Sequence, residues 1–215
     1  MSPFERPIVM LDFETTGLSP AMGDRITEVA ALRIVGGQVT ERYVSLVNCG
    51  ARIPGFITQL TGITQEMVDS APSVRKVVPE LLDFIGSDTL SAHNASFDEK
   101  FLAAESERLG RACGHVGLVC SLKLSRRMFP GMPSYKLGTL SRQLGIAFRS
   151  AAHRAEADAE VAAEVLIHIG RHIGASYGLQ LVGPELLVSI NKLAAAKVPT
   201  WLGKYASEKN AALSP

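Results

Sequence analysis

The chain has 215 residues, 47% of them hydrophobic and 20% charged, with a formal net charge of +1. That length buries a core without disulfides or a structural metal, and no apolar run approaches the ~18 residues of a membrane span. Cys49, Cys113 and Cys120 form no CxxC or CxxxC pair, which argues against a disulfide framework or a zinc site. A reducing, cytoplasmic setting is therefore expected. The opening "MSPFERPIVMLDF" carries an early acidic residue and too short an apolar run for a signal peptide.

Ile8 to Leu11 reads as a strand covered on both faces, because its apolar residues run without alternation. Asp12 and Glu14 follow, two apart, and so share one face. Two such carboxylates repel by about 4 kcal/mol at ~4 Å in an effective dielectric near ~20. Either one is protonated, or a cation sits between them, or the strand end opens to water. "GLSPAMGDR" is turn chemistry, and "ITEVAALRIVGGQVTERYVSLV" predicts two strands around a Gly36–Gly37 hairpin turn. "NCGARIPGFITQLTGITQEMVDSAP" is turn-rich with short helical pieces. Apolar spacing predicts a helix over Ser73 to Ile85, stopped at Gly86. "TLSAHN" is a short strand, after which Asn94 or Ser96 caps the helix "FDEKFLAAESERLG". "HVGLVCS" is a further strand. Small helices follow around Leu122 to Met128 and Leu137 to Leu144, then a long helix from about Arg154 to Ile169 and another from about Pro184 to Ala196. A hairpin followed by strands alternating with helices predicts an α/β fold with a mixed sheet.

Two more carboxylates stand out. Asp98, in "AHNASFD", falls in the first turn of its helix, where the bland explanation is a favourable interaction with the helix dipole. Asp158, in "HRAEADAEVAAEVLIHI", interrupts the stripe Ala155, Asp158, Ala162, Val165, Ile169 of an otherwise apolar or small face. Burying an ionised carboxylate is costly unless it is paired or holds a metal. Glu156, Glu160 and Glu164 lie off that stripe and read as solvated surface. Oxygen ligands from separate elements, converging at strand and helix ends, suit hard cations such as Mg²⁺ or Mn²⁺. A pair of such ions clamps a phosphoryl group, so metal-dependent phosphoryl chemistry is expected. From Arg108 to Arg154 there are nine Lys or Arg residues and no Asp or Glu, which suits a polyanionic substrate or simply a basic surface. His168 and His172 are spaced i, i+4 but have no matching carboxylate, so a place near a helix C-terminus explains them better. His115 has no visible role.

"DFETTGL", "HNASFD" and "HRAEADA", in this order and at these separations, resemble the DEDDh superfamily of 3′–5′ exonucleases, and within it the proofreading epsilon subunit of bacterial DNA polymerase III and its stand-alone relatives. The likeness covers about residues 7 to 170 and includes "LTGIT" and "YKLGTLSRQLGI". It implies an RNase H-like fold, a central mixed β-sheet flanked by α-helices. It also implies that Asp12, Glu14, Asp98 and Asp158 hold two Mg²⁺ or Mn²⁺ ions, and that His153 takes the proton of the attacking water. A related subclass uses Tyr where this chain has Arg154, and arginine cannot act as a base. Phe13 stands where many relatives have Thr, Val or Ile, and strand alternation turns it away from the site. Thr15, Thr16, Gly17 and Leu18 would meet the terminal nucleotide, with Phe97, His93 and Asn94 lining the same pocket. The plainer alternatives are core packing for Leu18 and Phe97 and turn roles for Thr15 and Thr16.

The resemblance thus implies an exonuclease domain over residues 1–175, acting on the 3′ end of a single nucleic acid strand, with DNA favoured over RNA, in proofreading or repair. An RNA-trimming relative and an inactive binding or scaffold module are the alternatives. Residues 176–215 form a C-terminal helical extension. The preferred reading is a helix packed back on the domain with Trp201 shielding it; the other is a tail that docks a DNA polymerase subunit. No membrane partner is expected.

Overall fold

The computed structural model describes residues 3–148 and 152–211. Strand β1 (Ile8–Thr15) pairs antiparallel with β2 (Ile26–Val35), which turns through Gly36–Gly37 into β3 (Gln38–Leu46). Both turn glycines have positive φ, the backbone this shortest hairpin requires. Short helices α1 (Gly55–Thr61) and α2 (Gln65–Asp69) lead to α3 (Val74–Ile85). Then follow β4 (Thr89–Ala92), α4 (Ser96–Arg108), β5 (Gly117–Cys120), α5 (Ser121–Met128) and α6 (Leu137–Gln143). Helices α7 (Ala155–Tyr177), α8 (Pro184–Lys192) and α9 (Val198–Ala211) follow within the described residues.

The sheet has the order β3-β2-β1-β4-β5, with β4 and β5 parallel to β1 and the hairpin antiparallel. It is a mixed sheet flanked by helices, the α/β architecture the sequence predicts. β1 lies at its centre and is buried on both faces. Ile8 and Met10 join Ala30, Leu32 and Ile34 against α7, while Val9, Leu11 and Phe13 join Val29 and Ala31 against α3 and α4.

Several boundaries differ from the sequence reading: the helix expected to run to Ala196 ends at Lys192, and α9 follows as a separate helix. β1 extends through Thr15 because β2 pairs with it along its whole length, from Ile8 opposite Ile34 to Thr15 opposite Ile26. Asp12 and Glu14 are therefore strand residues. α7 runs past Ile169 to Tyr177, since Gly170 continues the helix where its missing side chain lets Phe4 and Pro3 approach; a Cβ there would lie 2.8 Å from each. Neither Asn94 nor Ser96 caps α4: Ala95 takes the cap position and Asn94 adopts a left-handed φ of 76°.

Beyond α7, Leu186, Leu187 and Ile190 of α8 and Val198, Leu202 and Ala206 of α9 enter the same core cluster as Met10 and Leu32. Trp201 packs at its edge and stacks on Tyr205 at 5.3 Å. Each buried aliphatic side chain contributes about 1.5–3 kcal/mol, so ending the chain after Ala175 is expected to give aggregated protein. Soluble, fully active truncated protein, measured by gel filtration and nuclease assay, would contradict this. Among the described residues, no helix is long and apolar enough to cross a membrane.

Candidate active site

The alternation of β1 puts Asp12 and Glu14 on the face of Ile8 and Met10, towards α7. α7 enters over that face and brings Asp158 in its first turn. One carboxylate oxygen from each of Asp12, Glu14 and Asp158 lies within 4.8 Å of the others. Asp98, buried in the first turn of α4, comes in from the side and stands outside that three-way group. Its Oδ1 accepts the Phe13 main-chain N–H at 3.2 Å. β4 pairs with β1 only as far as Met10, and Asp98 supplies a partner to a strand N–H beyond that point.

The cluster holds more negative charge than its surroundings favour. Burial, then Asp98, Asp158, Glu14 and Glu28, raise the Asp12 pKa well above the ordinary carboxylate range. Glu14 is pushed to about 7 by burial and by Asp158 and Glu28, with Arg154 opposing them. Burial lifts Asp98 to about 8 against the main-chain hydrogen bond from Phe13. Asp158 is raised by burial, opposed by the charge and main-chain hydrogen bonding of His153. The Arg154 guanidinium is bonded to Glu28. An all-oxygen, acidic donor set with repelling members fits a hard divalent cation such as Mg²⁺ or Mn²⁺.

The nearby loop is built largely on Asp24. Its carboxylate accepts the Ser19 N–H at 2.9 Å and the Thr16 hydroxyl at 3.3 Å. It also fills the space a Cβ on Gly17 would need, 2.4 Å away. Thr15 and Thr16 are buried, with the Thr15 hydroxyl on the Gly17 carbonyl at 2.6 Å, so both hydroxyls serve the loop itself. Leu18 stands out from this loop 84% exposed, which removes core packing as its explanation. Phe97 is half-buried, packed at 5.1 Å on Phe101. Asn94 is exposed. His93 is committed within the protein: Nε2 lies 2.9 Å from the Tyr135 carbonyl, which only accepts, so Nε2 carries the proton and Nδ1 accepts from the Ser121 hydroxyl. Burial lowers its pKa, against the hydrogen bond to Tyr135. His153 is exposed, has a left-handed φ of 63°, and stands at the entrance to α7.

Residues 9–166 match the exonuclease family. The chain belongs to the DEDDh 3′–5′ exonuclease superfamily. It is 39% identical over 153 residues to the 3′–5′ exonuclease DinG of Bacillus subtilis, covering 71% of this chain and 16% of that protein. It is also 39% identical over 157 residues to a PolC-type DNA polymerase III of Oceanobacillus iheyensis, covering 73% of this chain and 11% of the polymerase. The chain thus spans a small part of these relatives. Among solved structures, Exonuclease X in complex with 5′ overhanging duplex DNA superposes with a TM-score of 0.65 at 26% identity, over 86% of this chain and 99% of that one. The nuclease domain of 3′hExo, a DEDDh member bound to rAMP, shares the fold, with a TM-score of 0.63 at 19% identity over 77% of this chain and 92% of that one.

Within this exonuclease domain the sequence reading missed Glu28. It lies on β2 directly opposite Glu14, is 3% exposed, and binds Arg154 with both carboxylate oxygens. The signal was available: Glu28 sits two residues before Ala30 on the face that also buries Leu32 and Ile34. The basic stretch divides in two. Arg108, Arg111, Arg127 and Arg154 are spent on contacts within the chain. Arg126 and Lys136 line a cleft of about 590 Å³ that begins at His93 and Asn94, while Arg149 lies outside the described residues.

Proposed function

We propose that this domain removes nucleotides one at a time from the 3′ end of single-stranded DNA. The observation that carries the reading is the meeting of Asp12, Glu14 and Asp158 within 4.8 Å, with Asp98 beside them. These four would hold two Mg²⁺ or Mn²⁺ ions, which supply positive charge to the phosphoryl oxygens and ease the ionisation of water. His153 accepts the proton of the attacking water, from an exposed position next to Asp158. The water oxygen bonds to phosphorus as the bond to the penultimate 3′ oxygen breaks. A nucleoside 5′-monophosphate leaves, and the released 3′ oxygen takes a proton from solvent water to become the new 3′-hydroxyl of the shortened strand.

Substrate-contact roles follow the same reading. Leu18 and Phe97 pack on the terminal base, and the main chain of Thr15, Thr16 and Gly17 meets the 3′-hydroxyl. Asn94 lines the pocket, and His93 shapes it through Ser121 and Tyr135. The cleft with Arg126 and Lys136 gives the upstream phosphates a basic path, so binding weakens steeply with salt.

DNA is favoured because the relatives with the higher identities are a 3′–5′ exonuclease and DNA polymerases, and because Exonuclease X is seen with DNA. RNA trimming is the second reading: one fold neighbour is described as recognising a histone mRNA stem-loop. Turnover on DNA and RNA oligomers of one sequence, with Mg²⁺ or Mn²⁺, decides between them. Faster cleavage of DNA is expected. Faster cleavage of RNA would select the second reading, and no turnover on either would point to an inactive module.

A further inference from the structure

Resting on the assignment of His153 as proton acceptor, we infer that Arg154 and Glu28 form a positioning clamp for His153, and that the reaction needs the clamp's fork geometry more than the charge of Arg154.

Glu28 is a buried carboxylate with three tasks from one place on β2. It accepts the Arg154 Nε at 3.2 and 3.1 Å, accepts the Arg154 Nη2, and accepts the Ala155 main-chain N–H at 2.9 Å. The last of these is a free donor at the start of α7, where Arg154 is the cap residue and makes no side-chain cap of its own. A glutamate from a strand, 127 positions away in the chain, therefore caps the helix and grips the residue just before it. His153 is the next residue back. Its φ of 63° is left-handed, a region uncommon for residues other than glycine. Glu28 in turn is fixed by pairing opposite Glu14, so the clamp ties the loop that carries His153 to the strand that carries the carboxylates.

Arg154 has other ways to matter. Its charge lies near Glu14, and its carbonyl accepts the Asp158 N–H at 3.0 Å. The clamp acts through geometry at His153, and lysine separates these effects: it keeps the charge and the backbone bond but has no planar fork to bind both oxygens of Glu28.

The test is a double-mutant cycle read by steady-state and single-turnover cleavage of labelled single-stranded DNA at saturating Mg²⁺. Arg154→Lys keeps Glu28 paired and so keeps the fold, checked by thermal melting. It is expected to lower kcat by about 10-fold or more, since a small misplacement of a catalytic group costs rates of this order, with KM and the Mg²⁺ titration midpoint within about 2-fold of wild type. On a His153→Ala background the same substitution is expected to have no further effect. Glu28→Gln, which keeps the shape of Glu28, is expected to behave alike. If Arg154→Lys slows the His153→Ala protein as much as it slows wild type, Arg154 acts through the carboxylates or Asp158, and the clamp is refuted while the base assignment stands. A wild-type rate for Arg154→Lys also refutes it. If His153→Ala alone keeps the wild-type rate, the base assignment falls and the clamp falls with it.

Discussion

Asp12→Asn is expected to abolish turnover and, in chelator at pH 8, to raise the melting temperature. Asp12 is buried beside Asp98, Asp158, Glu14 and Glu28, and its pKa is raised by all of them after burial itself. A group whose pKa is raised on folding gives its full stabilisation below its unfolded value and loses it as pH climbs through its folded value. For Glu14 and Asp98 that loss runs from the ordinary carboxylate range up to about 7 and about 8, so the metal-free wild type weakens from mildly acidic to mildly basic pH. Asparagine carries no charge and removes one source of the repulsion. A gain of only about 1 kcal/mol raises the melting temperature by about 2–4 °C in a chain of this size. The gap should narrow as pH falls and close below the ordinary aspartate value of about 4, where the carboxyl is neutral in the unfolded chain as well. Added Mg²⁺ should reverse the order, because only the wild type then gains binding energy, about 2.7 kcal/mol at ~100 times the dissociation constant. A variant that melts lower than wild type in chelator at pH 8 would show that Asp12 stabilises the fold and is not a charge held there for a cation.

His153→Ala is expected to lower the single-turnover rate by about 10²-fold or more, the scale of a lost general base. The side chain is exposed and the residue lies outside the core clusters, so the fold should hold, with the melting temperature lowered only slightly by alanine at the left-handed φ of 63°. Asp12, Glu14, Asp98 and Asp158 remain, so metal affinity and strand binding should stay near wild type. An unchanged rate would remove His153 from the mechanism.

Three of the four candidate carboxylates were legible because each breaks a local pattern, while Asp98 stood out only through its motif. Asp12 and Glu14 end an apolar run, and Asp158 interrupts a small-residue stripe. Strand and helix periodicity then suffices to place them on inward faces, and the motifs that contain them carry the family. What was not legible depends on pairing between distant segments. Glu28 becomes conspicuous only when β2 is set in register with β1, opposite Glu14. Its bond to Arg154 spans 126 positions. His93 reads as a pocket residue until Ser121 and Tyr135 are seen to occupy both ring nitrogens. The length of α7 was hidden for a related reason. Glycine reads as a helix stop, whereas Gly170 is where the N-terminal segment packs against the helix.

The most direct test of metal-dependent removal of nucleotides from a 3′ end follows a 5′-labelled single-stranded DNA with the intact chain, in Mg²⁺ or Mn²⁺ and in chelator. The expected result is a ladder that shortens one nucleotide at a time from the 3′ end, seen only with the metal and absent in Asp12→Asn. Internal fragments at the earliest times, or equal cleavage in chelator, would contradict it.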